Sequence, residues 1–127
     1  MTPPTTLTEI ILPDQANHYG TLFGGRGLSL MARAAFVAAS RHARAKVVLA
    51  ACHEARFEAP VPLGSLFLLT ATLAQVGRTS MRIDVSGHCE HPEESRCTSV
   101  SQATFTMVAV DDAGRPVPVP PMEAEAR

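Results

Sequence analysis

Residues 27–43 read GLSLMARAAFVAASRHA, and this run decides the fold. It holds no Pro, its one inner charge is Arg33, and its Ala content strongly favours helix. At helical spacing Leu28, Met31, Ala35 and Ala39 form one stripe. Leu30, Ala34, Val37 and Ala38 extend the apolar surface round the sides. A helix that is apolar nearly all round is a buried one. At 1.5 Å per residue it would be about 25 Å long, enough to cross a small domain.

On both sides of this run the apolar period changes to two. Upstream, Thr6 to Leu12 is β-branched and aliphatic and stops at Pro13, as a strand does. Pro13 to Gly25 reads as a loop, with Gly20, Gly24 and Gly25. Downstream, Lys46 to Ala59 alternates, placing Val47, Leu49, Ala51, His53, Ala55 and Phe57 on one face and Glu54, Arg56 and Glu58 on the other. Pro60 to Gly64 is a turn. Ser65 to Val76 carries Phe67, Leu69, Ala71 and Leu73 on one face, and Gly77-Arg78 turns the chain. Thr79 to Ser86 sets Met81, Ile83 and Val85 against Arg82, Asp84 and Ser86. Gly87 to Arg96 reads as a polar hairpin tip, and Cys97 to Val110 as a last long strand.

The expected class is therefore α+β, one long buried helix against an antiparallel sheet of about five strands. Hairpin order makes the sheet antiparallel, and the helix is the only element available to cover its apolar face. Residues 1–118 form one domain in this reading, and 119–127 a Pro- and Glu-rich tail; the chain from Arg115 on would fray or lie on the surface. A monomer would leave strand edges and part of the helix surroundings uncovered, so a homodimer or a larger assembly, tetramer or hexamer, is expected.

Composition excludes several classes. Eleven Lys and Arg against twelve Asp and Glu give a net charge of −1, unlike a protein held by nucleic-acid phosphates. No apolar run reaches the length of a membrane span, and the first residues do not read as a secretory signal. Cys52, Cys89 and Cys97 are an odd count without scaffold spacing, which suits reduced thiols and a cytoplasmic setting. His88-Cys89-Glu90-His91 with Cys97 matches no specific metal-ligand spacing, so no metal is expected.

Four segments carry a resemblance. Asn17-His18-Tyr19-Gly20-Thr21-Leu22-Phe23-Gly24-Gly25 runs into Leu28-Ser29-Leu30-Met31. After it come Phe57-Glu58-Ala59-Pro60-Val61, then Val76-Gly77-Arg78-Thr79-Ser80-Met81, then Ala103 to Asp111. In this order and with these gaps the chain resembles the hotdog-fold acyl-CoA thioesterases over most of residues 6–118. The resemblance implies hydrolysis of an acyl-CoA to a carboxylic acid and CoA, with water as nucleophile and CoA as part of the substrate rather than a cofactor. It implies a site at a dimer interface, between one subunit's helix N-terminus and its partner's strands.

Beside it stands the chemistry of the residues. N–H groups at a helix start stabilise negative charge, so those near Gly24 and Gly25 suit the oxyanion of a tetrahedral intermediate; the plainer reading of the pair is tight helix packing. Asn17 could orient the thioester or a water, or simply shape a turn. His18 is a base or phosphate contact, or a solvated loop residue. The resemblance implies CoA binding around Arg78, Thr79 and Ser80, and an Arg with hydroxyls suits phosphate oxygens, the plainer reading being an exposed turn. Arg56 and Arg82 are further candidates for phosphate contact.

One departure matters. The resembling family carries an acid on the helix directly after its Met, where this chain has Ala32, and some relatives place Asn or Asp where it has Thr21. Three readings stay open: His53 or Glu54 substitutes as base, with alternation favouring His53; Asn17, Thr21 and the helix N-terminus alone support slow hydrolysis; or the protein binds acyl-CoA without turning it over.

Overall fold

The computed structural model describes residues 3–122. Five strands, β1 (Thr5–Ile10), β2 (Lys46–Phe57), β3 (Leu66–Val76), β4 (Ser80–His91) and β5 (Arg96–Val110), form one antiparallel sheet in the order β1-β3-β4-β5-β2. The helix α1 (Gly24–Ala43) lies across one face. Its buried side is mostly small, with Ala34, Ala35, Ala38 and Ala39 beside Leu30 and Met31. The small residues let the helix sit close to Phe67, Leu69, Met81, Ile83, Phe105 and Met107, all buried on the inner sheet face. Each large side chain buried there contributes about 1.5–3 kcal/mol. This is the α+β arrangement that the helix and the alternating strands predict, and the hotdog fold that the resemblance implies. No helix of the described residues is long and apolar enough to cross a membrane.

Boundaries differ where side chains are small or the backbone irregular. The helix starts at Gly24 rather than Gly27, the first turn closing with the Gly27 N–H donating to the Phe23 carbonyl at 2.9 Å. At its other end Arg44 takes a left-handed conformation, φ 52°, its N–H donating to the Ser40 carbonyl. Glycine normally fills that position because a Cβ is strained there. Arg44→Gly is therefore expected to stabilise the fold by about 1 kcal/mol, read as a higher urea midpoint.

The segment Gly87 to Arg96, expected as a polar tip, is mostly strand. β4 runs to His91 with Cys89 buried, and the tip is only the 3₁₀ turn Pro92–Glu94 with Ser95. Gly87 serves this strand by having no side chain, since a Cβ there would collide with Ser101 Oγ and the Phe67 ring. The tail is also tied down further than expected. Val117 donates to the Ala109 carbonyl, Val119 to the Arg78 carbonyl, and His42 Nε2 meets the Pro120 carbonyl at 2.7 Å. Val117 and Val119 pack against the core, so the chain is held through Pro120, past the expected boundary at 118. Residues 123–127 of the expected tail lie outside the described residues.

β2 departs most. It is an edge strand, paired only with β5 among the described residues, and its register with β5 shifts between Leu49 and Ala51 and again between His53 and Arg56. Glu54 sits at the second bulge with φ 51°. Each shift resets the alternation. Residues paired across an antiparallel ladder share a face, so Val47, Leu49, Cys52 and Phe57 face inward, opposite Ala109, Met107, Phe105 and Ser101. His53 lies opposite Thr104, on the outer face.

Candidate functional site

The site candidates at the start of α1 are positioned by a fastened loop. The Asn17 side-chain oxygen accepts from the Tyr19 N–H at 2.9 Å, the Thr21 N–H at 3.2 Å and the Thr21 hydroxyl at 3.3 Å. The Asn17 N–H donates to the Thr21 carbonyl at 2.8 Å, closing the loop on itself. Two more bonds tie it to the β2–β3 turn: Leu22 N–H to the Val61 carbonyl at 2.7 Å, and Leu63 N–H to the Gly20 carbonyl at 2.9 Å. Asn17 is thus a turn residue whose amide nitrogen is left over for other work. His18 is exposed and stacks on the exposed Tyr19, ring centroids 4.0 Å apart.

This loop delivers the chain into a bare helix N-terminus. Phe23 is the N-cap and offers no side-chain bond, and the first turn contains no acid. The N–H groups of Gly24, Gly25 and Arg26 precede the first intrahelical bond and so have no acceptor within the helix. Gly24 and Gly25 are exposed, and a Cβ on Gly24 would meet nothing within 4 Å. Their absence of side chains therefore does not serve packing against the sheet. That role belongs to Gly27, where a Cβ would meet the Phe57 ring at 2.8 Å. Against Gly24 opens a pocket of about 290 Å³ walled by Leu22, Phe57, Glu58, Ala59, Pro60 and Val61.

The remaining candidates lie elsewhere. Arg78, Thr79 and Ser80 form the β3–β4 turn, beside Val119 and the last turn of the helix, which binds Pro120 through His42. A helix of twenty residues is about 30 Å long, so one chain holds this turn and Gly24 at opposite ends. Arg56 faces outward near Glu58, at 3.8 Å, and shares a polar groove on the outer sheet face with Arg82, Asp84 and Gln102.

His53 also belongs to that outer face, contrary to the alternation that grouped it with Phe57. Its Nε2 meets the Thr106 hydroxyl at 3.2 Å, and the sheet stands between it and the helix. His53→Ala is expected to leave kcat on any acyl-CoA within about twofold, a surface change away from the chemistry. Partial burial at the strand edge pushes the Cys52 thiol up, so it stays protonated near neutral pH and is a poor nucleophile. Cys89 is buried, its sulfur 3.3 Å from His91 Nε2. No group of three metal-ligand side chains forms among the described residues.

Residues 19–96 match the Thioesterase superfamily. The chain belongs to that family. It is similar to an uncharacterized acyl-CoA thioester hydrolase of Zymomonas mobilis, 41% identical over 113 residues, covering 89% of this chain and 76% of that protein. Among solved structures, an apo-hexameric acyl-CoA thioesterase matches with a TM-score of 0.91 at 34% identity, covering 97% of this chain and 79% of the other. The acyl-CoA hydrolase of Staphylococcus aureus, in complex with butyryl-CoA and CoA, matches at 0.89 and 27% identity, covering 98% and 76%. Variants of that enzyme with an asparagine, an aspartate or a threonine replaced by alanine match as well.

Of the residues expected from the sequence, Asn17 and Thr21 are bonded to each other and Gly24 lines the pocket, whose walls do not include Asn17 or Thr21. Sequence reasoning assigned no site role to Leu22, Gly27 or Phe57. A Gly inside a strong helical run was the available signal, because it costs about 1 kcal/mol relative to Ala and asks for a packing reason.

Proposed function

We propose that this chain hydrolyses acyl-CoA thioesters at the start of α1, with water as nucleophile and no cofactor. The observation that carries this reading is the uncapped helix N-terminus, with the exposed Gly24 and Gly25, opening onto the pocket walled by Phe57 and Val61. Water attacks the thioester carbonyl carbon and gives up one proton to bulk water, and the carbonyl oxygen takes the charge. The N–H groups of Gly24 and Gly25 and the helix dipole stabilise it. Collapse of the intermediate breaks the C–S bond, and CoA leaves as its thiolate. The amide nitrogen of Asn17 orients the carbonyl or the water, and Thr21 holds Asn17 in place.

No carboxylate stands at position 32, where the resemblance expects the base; the carboxylate that lines the pocket is Glu58. In the S. aureus enzyme the replaced asparagine and aspartate stand fifteen positions apart, and the threonine seventeen beyond the aspartate. The first of these counts, from Asn17, arrives at Ala32, which supports reading that position as the departure. The expected consequence is slow turnover.

Two copies build the site. Gly25 and position 32 are two helical turns apart, about 10 Å along the axis, and Arg78 is at the far end of the same chain. Pairing along the exposed edge of β2, where Val48, Leu49 and Phe57 are open to solvent, would bring one protomer's helix start to its partner's strands and bury that apolar edge. Arg78, Thr79, Ser80 and Arg56 would then meet CoA phosphates from a neighbouring copy. Hexameric relatives support a larger assembly, and free thiols at Cys52 and Cys97 support a cytoplasmic setting.

The second reading, an acyl-CoA binder without turnover, rests on Ala32. Release of free CoA thiol from an acyl-CoA panel by pure protein separates the two. Micromolar CoA binding without thiol release would reject hydrolysis and leave the binder.

A further inference from the structure

The inner face beneath the helix start contains a row that the reaction does not use. Across the sheet, Phe57 on β2 pairs with Ser101 on β5, and Ser101 with Gly87 on β4. Behind Phe57 the row itself is small, a hydroxymethyl and a hydrogen, and the Phe67 ring fills the space over Gly87. Ser101 is fully buried, and its hydroxyl has no hydrogen-bond partner among the described residues. A buried hydroxyl without a partner costs free energy.

In front of this row stands the Phe57 ring. It lies over Gly27, whose missing Cβ would sit 2.8 Å from the ring tip, with Leu22 closing the other side at 3.0 Å. The ring is also a wall of the pocket at Gly24 and is 39% exposed. It thus has the pocket on one side and the Ser101–Gly87 row on the other.

We infer that Phe57, seated on Gly27, is the stop that limits how far an acyl chain penetrates beneath the helix, and so sets chain-length preference. This rests on the thioesterase reading and deepens it. With the ring in place, the pocket of about 290 Å³ ends at Phe57, and the protein prefers short acyl groups. With the ring removed, the pocket extends into the volume the ring occupies over Gly27, as far as Ser101, and accepts further methylene groups. Each additional buried methylene is worth about fourfold in binding, so two or three give roughly tenfold or more in relative specificity. Gly27 belongs to the device because a side chain there displaces the ring toward the pocket and shortens it.

The test compares wild type, Phe57→Ala and Gly27→Ala on a saturated acyl-CoA series from two to sixteen carbons. It reads kcat/KM for each length and the affinity of non-hydrolysable alkyl-CoA thioethers of the same lengths. Phe57→Ala is expected to raise the ratio of twelve-carbon to four-carbon specificity about tenfold or more, and Gly27→Ala to lower it. In the double variant the Gly27→Ala effect should vanish, because no ring remains to be displaced. Phe57→Leu, milder to folding, should move the ratio in the same direction as Phe57→Ala. An unchanged length profile in folded Phe57 variants, by turnover and by thioether affinity, would overturn the inference while leaving hydrolysis standing. Wild type that neither turns over nor binds any member of the series would overturn the thioesterase reading, and this inference with it.

Discussion

Ala32→Asp is expected to raise kcat on a short-chain acyl-CoA by about 10²-fold or more. A positioned general base contributes about 10²–10⁴-fold, and nothing at position 32 supplies one. The side chain is half-buried on α1, on the stripe that begins at Gly24 and passes through Leu28. About 10 Å along the axis from Gly25 of its own chain, a carboxylate there would serve the site completed by the helix start of a partner copy. The variant should also acquire a pH dependence. A base works in its deprotonated form, so the added rate should fall as pH drops through the new carboxyl's pKa. Ala32→Asn, of equal size but with no base, should show neither the gain nor the acid limb. Thermal melts of both variants would separate rate effects from the cost of a polar group on a half-buried helix face. Equal kcat for Ala32→Asp and wild type would mean that the missing acid is not what limits the rate.

The second large effect is at Asn17. Asn17→Asp is expected to lower kcat/KM by about 10²-fold with little change in melting temperature, and Asn17→Ala to lower both. The separation follows from the two ends of the amide. Its oxygen holds the Tyr19 and Thr21 N–H groups and the Thr21 hydroxyl, and a carboxylate can accept the same bonds. Its nitrogen has no bond to the loop, and it is what the aspartate lacks. A carboxylate would also place negative charge near the developing oxyanion. Losing one such donor costs about 10²–10³-fold in other acyl-transfer sites. If Asn17→Asp melts early and retains its rate when folded, Asn17 is only a turn residue.

The helix was legible because seventeen residues without Pro put apolar side chains nearly all round, and only a buried helix satisfies that pattern. β3, β5 and the first part of β4 were legible because one face is large and apolar, as at Phe67, Leu69, Ile83 and Phe105. β2 was not. Its bulges depend on a left-handed Glu54 and on pairing with β5, and neither leaves a mark in the sequence. The alternation from Val47 therefore ran on through His53 and put it on the wrong face. The end of β4 was missed because Gly87 and Cys89, its inner residues, are small and sit among polar neighbours. For the site, Asn17, Thr21, Gly24 and Gly25 lie close together in one motif of the resemblance. Arg78 to Ser80 came from the same resemblance, but where they stand relative to Gly24 depends on strand order and on a second copy.

The most direct measurement of the central claim is the steady-state release of CoA thiol from acetyl- to hexadecanoyl-CoA by the purified protein, with CoA binding followed by calorimetry in parallel. The account predicts saturable turnover that favours short chains, falls about 10²-fold in Asn17→Asp, and is slow enough for Ala32→Asp to improve. CoA binding with no thiol release above the uncatalysed rate, in wild type and Ala32→Asp alike, would contradict it.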